Sequence, residues 1–319
     1  MTIRLGVVMD PIGSINTVKD STYGMLREAQ RRDWEIQYME MNDLFLTDGK
    51  AGARMRRLEL LFEGDEWYRF SDASVADLSQ LDVILMRKDP PFDMEYIYSS
   101  YILERAENEG VLIVNKPQAL RDANEKMFTA WFPQCTPPTL VSRQYGDIRS
   151  FLKEHGDIIL KPLEGMGGAS VFRVSSSDPN LSVIMEDLTH HQTRYVMAQR
   201  FIAEIRDGDK RILVINGDPV PYSLARIPAP GETRGNLAAG AKGVGKPLSE
   251  RDLWICNQVG PVLKDKGIVS SGIDIIGDYL TEINVTSPTG IRELDRIYDL
   301  NISGLLLNAI EDIIHRKQT

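Results

Sequence analysis

Apolar residues along this chain fall into short blocks rather than long stripes. Residues 5–9 (LGVVM) form an apolar run that meets Asp10-Pro11, the pattern of a buried strand. Residues 36–39, 81–86 (LDVILM) and 111–114 (VLIV) repeat it. Between these blocks, residues 18–32 have helical character, and residues 94–109 read as a helix stopped by Gly110. Strand and helix in alternation predict a parallel sheet with crossover helices in the first third. Ligands of such sheets sit beyond the carboxyl ends of the strands, here residues 10–14 and 87–91.

Residues 116–124 read as a link to a second unit. Beyond it, residues 158–161 and 171–174 are predicted strands flanking a glycine-rich turn. Residues 195–202, 211–216 and 223–227 are further strands, with Asn216-Gly217 as a hairpin signal. A helix is expected over 248–266, strands over 272–276 and 280–283 around Gly277-Asp278, and a closing helix over 299–316. Residues 228–246 (PAPGETRGNLAAGAKGVGK) read as irregular and carry five glycines. An irregular stretch this long is a lid or a linker, and its place between candidate ligand strands favours the lid.

The length of 319 residues suits two domains, or three small ones, at about 150 residues per domain. Hydrophobic residues at 42% and charged residues at 26% fit a globular chain with a core. Forty-six acidic against 37 basic residues give a net charge of -9, which argues against a general nucleic-acid binder, because phosphate neutralisation needs a basic face. No apolar run is long enough to cross a bilayer, and the first residues lack the pattern of a signal peptide. Cys135 and Cys256 are far apart and outside any CxxC arrangement, which fits a reducing cytoplasm. The four histidines show no metal spacing, and no Ser-His-Asp or Cys-His pattern supplies a covalent nucleophile.

Four features carry chemistry. In KPLEGMGGAS (161–170) a strand ends in Lys161 and runs into a loop with Gly165, Gly167 and Gly168. Glycines let backbone N–H groups approach an anion, and a lysine adds a point charge. Walker spacing is absent, so a solvated hairpin stays equally open. Asp274, Glu282 and Asn284 form an oxygen-donor trio on two strands, with Glu282 and Asn284 on one face. Such a set suits Mg²⁺, or is the polar face of an edge strand. Lys210, Arg211 and Arg226 sit in or beside apolar strands, where each arginine needs an anionic partner: a protein carboxylate or a transferring phosphate. The glycine-rich stretch 228–246 adds Arg234.

In sequence these features run Lys126, Lys161 with its glycine loop, Arg211, Arg226, the long loop, then Asp274, Glu282 and Asn284. That order resembles the ATP-grasp superfamily. Longer stretches are similar to prokaryotic glutathione synthetase: VILMRKDPPFD (83–93), LIVNKPQALRDANEKMFTAWF (112–132), DIILKPLEGMGGAS (157–170), LARIPAPGETRGNLAAG (224–240) and DIIGDYLTEINVTSPTGIRE (274–293). The resemblance covers essentially the whole chain. It implies an α/β and α+β architecture, an ATP-grasp fold behind an N-terminal parallel-sheet (pre-ATP-grasp) domain. The implied domains are residues 1–122, 123–195 and 196–319.

The resemblance also implies roles. Lys126 and Lys161 contact ATP phosphates, covered by the loop of Glu164, Gly165, Gly167 and Gly168. Gln199, Arg200, Phe201 and Ile202 meet adenine, with Asp209 nearby. Arg211 and Arg226 hold the transferring phosphoryl group, and Asp274, Glu282 and Asn284 hold Mg²⁺, with Mn²⁺ as an alternative. Thr286, Ser287 and Arg234 contact the peptide substrate. The implied reaction is ATP-dependent ligation of γ-glutamylcysteine to glycine, in the cytoplasm. Partners are these small molecules, without nucleic acid or membrane, in a homo-oligomer whose expected form is a tetramer. Two other readings share the nucleotide site: a ligase for another amino-acid pair, and a non-catalytic nucleotide-binding scaffold. The complete set of Arg211, Arg226, Asp274, Glu282 and Asn284 argues against the scaffold.

Overall fold

A computed structural model describes residues 2–318 apart from 64–65, 166, 230, 232–234 and 236–239. Its strands form three sheets. The first is built around β1 (Arg4–Val8), with β2 (Glu35–Met39) reached through helix α1 (Ser21–Arg31). It continues with β3 (Leu44–Thr47), β4 (Lys50–Leu60), β5 (Tyr68–Phe70), β6 (Ser74–Asp77) and β7 (Val83–Met86). Helix α2 (Met94–Asn108) leads to β8 (Leu112–Val114), and α3 (Pro117–Asp122) follows. Strands β2, β1, β7 and β8 are parallel, as the alternation of strand and helix predicts. Their continuous apolar runs reflect burial on both faces. Leu5, Val7, Val83 and Leu85 share one core cluster, while Val8, Ile84 and Met86 belong to another.

The first third is not all parallel. Strands β3 to β6 form an antiparallel extension that joins the sheet through β4 and β2. The sequence reading missed it because β4 alternates burial with Arg54, Arg57 and Glu59 on its way, so no apolar block marks it. The expected link at 116–124 is largely helix α3, started by Pro117 at its first position.

The second sheet comprises β9 (Thr139–Ser142), β10 (Ile158–Pro162), β11 (Phe172–Val174) and β12 (Val196–Arg200), all antiparallel. Helices α4 (Tyr145–His155) and α5 (Leu181–Thr189) cover it through Ile148, Leu152, Met185 and Leu188. His190 and His191 follow α5, and His190 caps it in the left-handed region.

The third sheet holds β13 (Asp209–Ile215), β14 (Asp218–Ile227), β15 (Lys242–Pro247), β16 (Ser270–Ile276) and β17 (Tyr279–Asn284), with α6 (Glu250–Asp265) before β16. The Asn216-Gly217 signal is a hairpin turn, and both residues have positive φ, 51° and 91°, as a type I′ turn requires. The irregular stretch 228–246 ends earlier than expected. Residues from Lys242 pair with β14, because ladder hydrogen bonds need no side chains and glycines 243 and 245 make them as well as any residue. The closing helix also starts later. Helix α7 (Ile291–Tyr298) ends at Asp299 with φ 52°, and α8 (Ile302–Gln318) begins afresh. The Asp295 carboxylate accepts from Ile302 N at 2.9 Å, and Asn301 Oδ1 accepts from Gly304 N at 2.9 Å, so side-chain caps separate α8 from α7, a helix the sequence pattern did not predict. No described helix is long and apolar enough to cross a membrane.

Two sets of contacts tie distant parts of the chain together. Helix α8 returns to α1: Arg32 lies 3.1 Å from Glu311, and buried Glu28 accepts from Arg31 and Arg32 at 2.7–2.8 Å. Asn115, 2% exposed after β8, staples the first sheet to the third. Its amide donates to Ser270 O at 2.7 Å and Val285 O at 2.6 Å, and its oxygen accepts from Val269 N and Ser270 N.

Replacing Asn115 with leucine orphans two N–H and two C=O groups in a dry interface. The expected loss is about 3 kcal/mol or more, read from urea unfolding midpoints; a loss under about 1 kcal/mol would show that the staple is redundant. The Glu28 carboxyl is held down to about 2, chiefly by its hydrogen bond from Arg31, against burial and with help from Arg32. Its contribution is therefore complete above the ordinary value of 4.5 and lost as pH falls through about 2. The stability advantage of the natural chain over Glu28→Gln should be full at pH 7 and vanish towards pH 2; a constant advantage across that range would contradict it.

Candidate active site

A cleft of about 370 Å³ opens where the three sheets meet. Its floor is the third sheet, and the strand register explains the chemistry there. Asp209 of β13 stands directly opposite Arg226 of β14, and Arg211 stands opposite Asp274 of β16. Asp274 in turn stands opposite Glu282 of β17, and Gly272 opposite Asn284. Residues two apart on a strand share a face, so these side chains form one polar row over an apolar underside of Ile212, Ile273, Ile275 and Ile283.

Charges alternate along the row. Arg211 grips Asp274 with two parallel bonds, Nε at 2.8 Å and Nη2 at 2.7 Å, and Arg226 reaches the same carboxylate at 2.9 Å. Arg226 also pairs with Asp209. Of the two partners open to these arginines at the sequence level, the structure shows the protein carboxylates. Burial works to raise the Asp274 pKa, yet Arg211 and Arg226 outweigh it and hold the carboxyl down to about 2. Burial wins at Asp209: despite Arg226, desolvation with Asp274 and Glu282 nearby pushes it up to about 7. Asn284 Nδ2 donates to Asp274 Oδ2 at 3.2 Å. Lys210, the third expected cation, instead pairs at 2.5 Å with buried Asp252 of α6.

The wall comes from the segment before β9 and from the second sheet. Ile283 N donates to Glu125 O at 2.8 Å, so residues around 125 run along the edge of β17. That contact sets Lys126, 4% exposed, with its Nζ on Gly165 O at 2.9 Å and 4.0 Å from Glu282. Burial would lower the Lys126 pKa, but Glu282 and its neighbour Glu125 raise it. Lys161, at the end of β10, is 5% exposed and donates to Thr281 O at 3.3 Å, with Glu282 at 3.9 Å. Here burial prevails and pulls the pKa down. Glycines 165, 167 and 168 have φ of 105°, 74° and 73°, which side chains rarely adopt, and their backbone lines the cleft.

At the far end, Gln199, Arg200, Phe201 and Ile202 leave β12 along the lining. Phe201 N donates to Asp157 O at 2.9 Å, and Arg173 stacks 3.9 Å from the Phe201 ring. Thr286 and Ser287 line the opposite end. Of the residues expected in the site, the structure brings all but two into this lining. Glu164 lies outside this lining: its carboxylate, mostly exposed, pairs with Arg194 at 2.7 Å. Arg234 lies outside the described residues. Its neighbour Gly235 is buried against the row, where an added Cβ would come 2.7 Å from Asp209 Cβ.

Asp89, Glu125, Thr281 and Thr289 also line the cleft and were missed. Asp89 lies in the strand-end segment 87–91, so that rule was the available signal; the others carried none. Among the described residues, no three His, Cys, Asp or Glu side chains group as metal ligands. The donors at hand are oxygens of Asp274, Glu282 and Asn284 on adjoining strands, a set that fits a hard cation sharing other oxygens.

Profiles of known families divide the chain between its first sheet and the other two. Residues 3–121 match the prokaryotic glutathione synthetase N-terminal domain, and residues 125–299 match the prokaryotic glutathione synthetase ATP-grasp domain. A glutathione synthetase of Vibrio vulnificus strain YJ016 is 62% identical over 311 residues, covering 98% of each chain. One from Escherichia coli O6:H1 is 61% identical over 309 residues, covering 97% of this chain and 98% of that one. Among solved structures, the ATP-grasp ligase PsnB complexed with minimal precursor is similar in fold, with a TM-score of 0.64 at 18% identity over 97% of this chain and 99% of that one.

Changing Asp274 to asparagine leaves the buried Arg226 and the partly buried Arg211 with one carboxylate, Asp209, between them. The expected loss of stability is about 3 kcal/mol, measured by urea unfolding. Arg211→Met combined with Asp274→Leu should recover part of it; equal losses in the single and double variants would mean that the pair is not the cause.

Proposed function

The chain belongs to the prokaryotic glutathione synthetase family, and from that premise we propose how its own residues carry out ligation. It is an ATP-grasp ligase. It joins the cysteinyl carboxylate of γ-glutamylcysteine to the amine of glycine, giving glutathione, ADP and phosphate. The observation that carries the reading is the polar row of Arg226, Asp209, Arg211, Asp274 and Glu282 beside two buried lysines. A simple binding module has little use for so many desolvated charges, whose burial is costly.

The reaction has two steps. A carboxylate oxygen of the donor attacks the γ-phosphorus of ATP, ADP leaves, and an acyl phosphate forms. The amine nitrogen of glycine then attacks the acyl carbon, phosphate leaves, and the nitrogen loses its proton. Phosphoryl transfer is mostly positioning and charge stabilisation. Lys126 and Lys161 hold ATP phosphates, with glycines 165, 167 and 168 offering backbone N–H groups. Gln199, Arg200, Phe201 and Ile202 border adenine, with Asp209 of the row nearby. Arg211 and Arg226 pass from their carboxylates to the transferring phosphoryl group. Their guanidinium donors suit it as well as they suit carboxylate. Mg²⁺, with Mn²⁺ as the alternative, would be held by Asp274, Glu282 and Asn284 and would neutralise phosphate charge. Thr286, Ser287 and Arg234 meet the peptide substrate. The acyl phosphate hydrolyses readily, so the glycine-rich segment after β14 serves to exclude water.

Three sheets support three domains, and the first boundary at 122/123 fits them, but β12 (Val196–Arg200) belongs to the second sheet, so the second domain runs through Arg200 rather than stopping at 195. We place the enzyme in the cytoplasm, where Cys135 and Cys256, both buried and free, stay reduced. Its assembly is a homo-oligomer, a tetramer by resemblance.

The deciding experiment follows ADP release with ATP and Mg²⁺, adding γ-glutamylcysteine and glycine singly and together. Release should require both substrates and Mg²⁺, with glutathione as the product. Release only with other amino-acid pairs would overturn the substrates, and ATP binding without turnover would favour a scaffold.

A further inference from the structure

Among the described residues, five carboxylates line the cleft: Asp89, Glu125, Asp209, Asp274 and Glu282. Four are engaged with cations. Glu125 pairs with Lys126, Asp209 with Arg226, and Asp274 with both arginines; Glu282 lies within 4.0 Å of both lysines. Among the described residues, Asp89 has no cation within ion-pair distance. It is nonetheless fixed. Ser287 Oγ donates to Asp89 Oδ1 at 2.5 Å, and the Asp89 N–H donates to Asp10 Oδ2 at 2.9 Å. Asp10 itself is occupied by Lys88 at 2.8 Å. A solvent-exposed carboxylate anchored on one oxygen leaves the other for a ligand.

Its place in the cleft says which ligand. From Arg211 the wall runs through Thr289, whose Oγ1 accepts from Arg211 Nη1 at 3.4 Å, then Pro288 and Ser287, to Asp89. Three residues span at most about 10 Å at roughly 3.5 Å each, close to the length of an extended γ-linked dipeptide. With the cysteinyl carboxylate at Arg211, the other end of the donor reaches Asp89. That end carries an α-ammonium, the one group of the donor that seeks an unpaired carboxylate. Among the described residues, the lining cations Lys126, Lys161, Arg211 and Arg226 lie against Glu125, Glu282, Asp209 or Asp274, and Arg200 lies over the Tyr279 ring.

We propose that Asp89 binds the α-ammonium of the γ-glutamyl group and so sets donor specificity, with Ser287 as the residue that positions it. The proposal rests on the ligase reading above. It shifts Ser287 from direct substrate contact to holding the carboxylate that makes it. Glycine is not the ligand, because its amine must reach the acyl carbon beside Arg211.

The test compares γ-glutamylcysteine with N-glutarylcysteine, which lacks only the α-amino group, in the natural enzyme, Asp89→Asn and Ser287→Ala. The natural enzyme should favour γ-glutamylcysteine in kcat/KM by roughly 10- to 100-fold, the worth of a charged hydrogen bond. Asp89→Asn should lose most of that preference through KM for the donor, with KM for ATP and activity on N-glutarylcysteine unchanged. Ser287→Ala should lose part of it. A merely structural role would depress both donors alike and leave their ratio intact. An active Asp89→Asn enzyme with the full preference, or with a changed KM for glycine alone, overturns the proposal. No turnover of γ-glutamylcysteine by the natural enzyme overturns the ligase reading itself, and this proposal with it.

Discussion

Asp274 is 1% exposed and ionised, which a protein interior tolerates only with close compensation. Two arginines from two neighbouring strands supply it. Much else follows from that arrangement. The β13–β16 register sets Arg211 opposite Asp274, and the neighbouring β13–β14 and β16–β17 registers set Asp209 opposite Arg226 and Asp274 opposite Glu282. A slip of one residue in any of these pairings would turn a charge into the apolar underside. Gly272 leaves room for the Arg211 side chain, which passes 3.3 Å from where a Cβ would stand. Catalysis and folding thus draw on the same charges. Arginines that neutralise a carboxylate in the free protein are already desolvated and aimed for a phosphoryl group.

The cleft exists because three sheets are held at fixed distances. Asn115 closes the first against the third through four hydrogen bonds to backbone groups. The segment around Glu125 pairs with the edge of β17 and carries Lys126 into place. Lys161 crosses from the second sheet to Thr281 of the third. Each tie is polar and directional, so it specifies position rather than supplying bulk stability. The apolar share of the work falls to α8, which brings Ile302, Leu306 and Ile310 into one cluster with Met25 and Leu26 of α1.

Some of this was legible in the chain. Apolar blocks gave the parallel strands, because strands buried on both faces have nowhere to put polar residues. Asn216-Gly217 gave its hairpin, since few other pairs adopt two positive φ angles. The spacing of Glu282 and Asn284 gave their common face. Strand β4 was hidden because half of it faces outward, and the later start of α8 because its caps are side chains that sequence periodicity does not register.

What the sequence determined alone was the local menu: which segments are strands, where the turns fall, and which residues can bear charge or oxygen donors. These follow from periodicity, backbone freedom and side-chain chemistry, all short-range properties. Only the tertiary structure decided partners. It gave Arg211 to Asp274 and Lys210 to Asp252, sent Glu164 out to Arg194, and left Asp89 with no cation at ion-pair distance among the described residues, the buried Arg87 acting on it from farther away. Charge pairing depends on distances across strands far apart in the chain, such as 63 positions between Arg211 and Asp274. Those distances are set by sheet register and packing, and no local pattern records them.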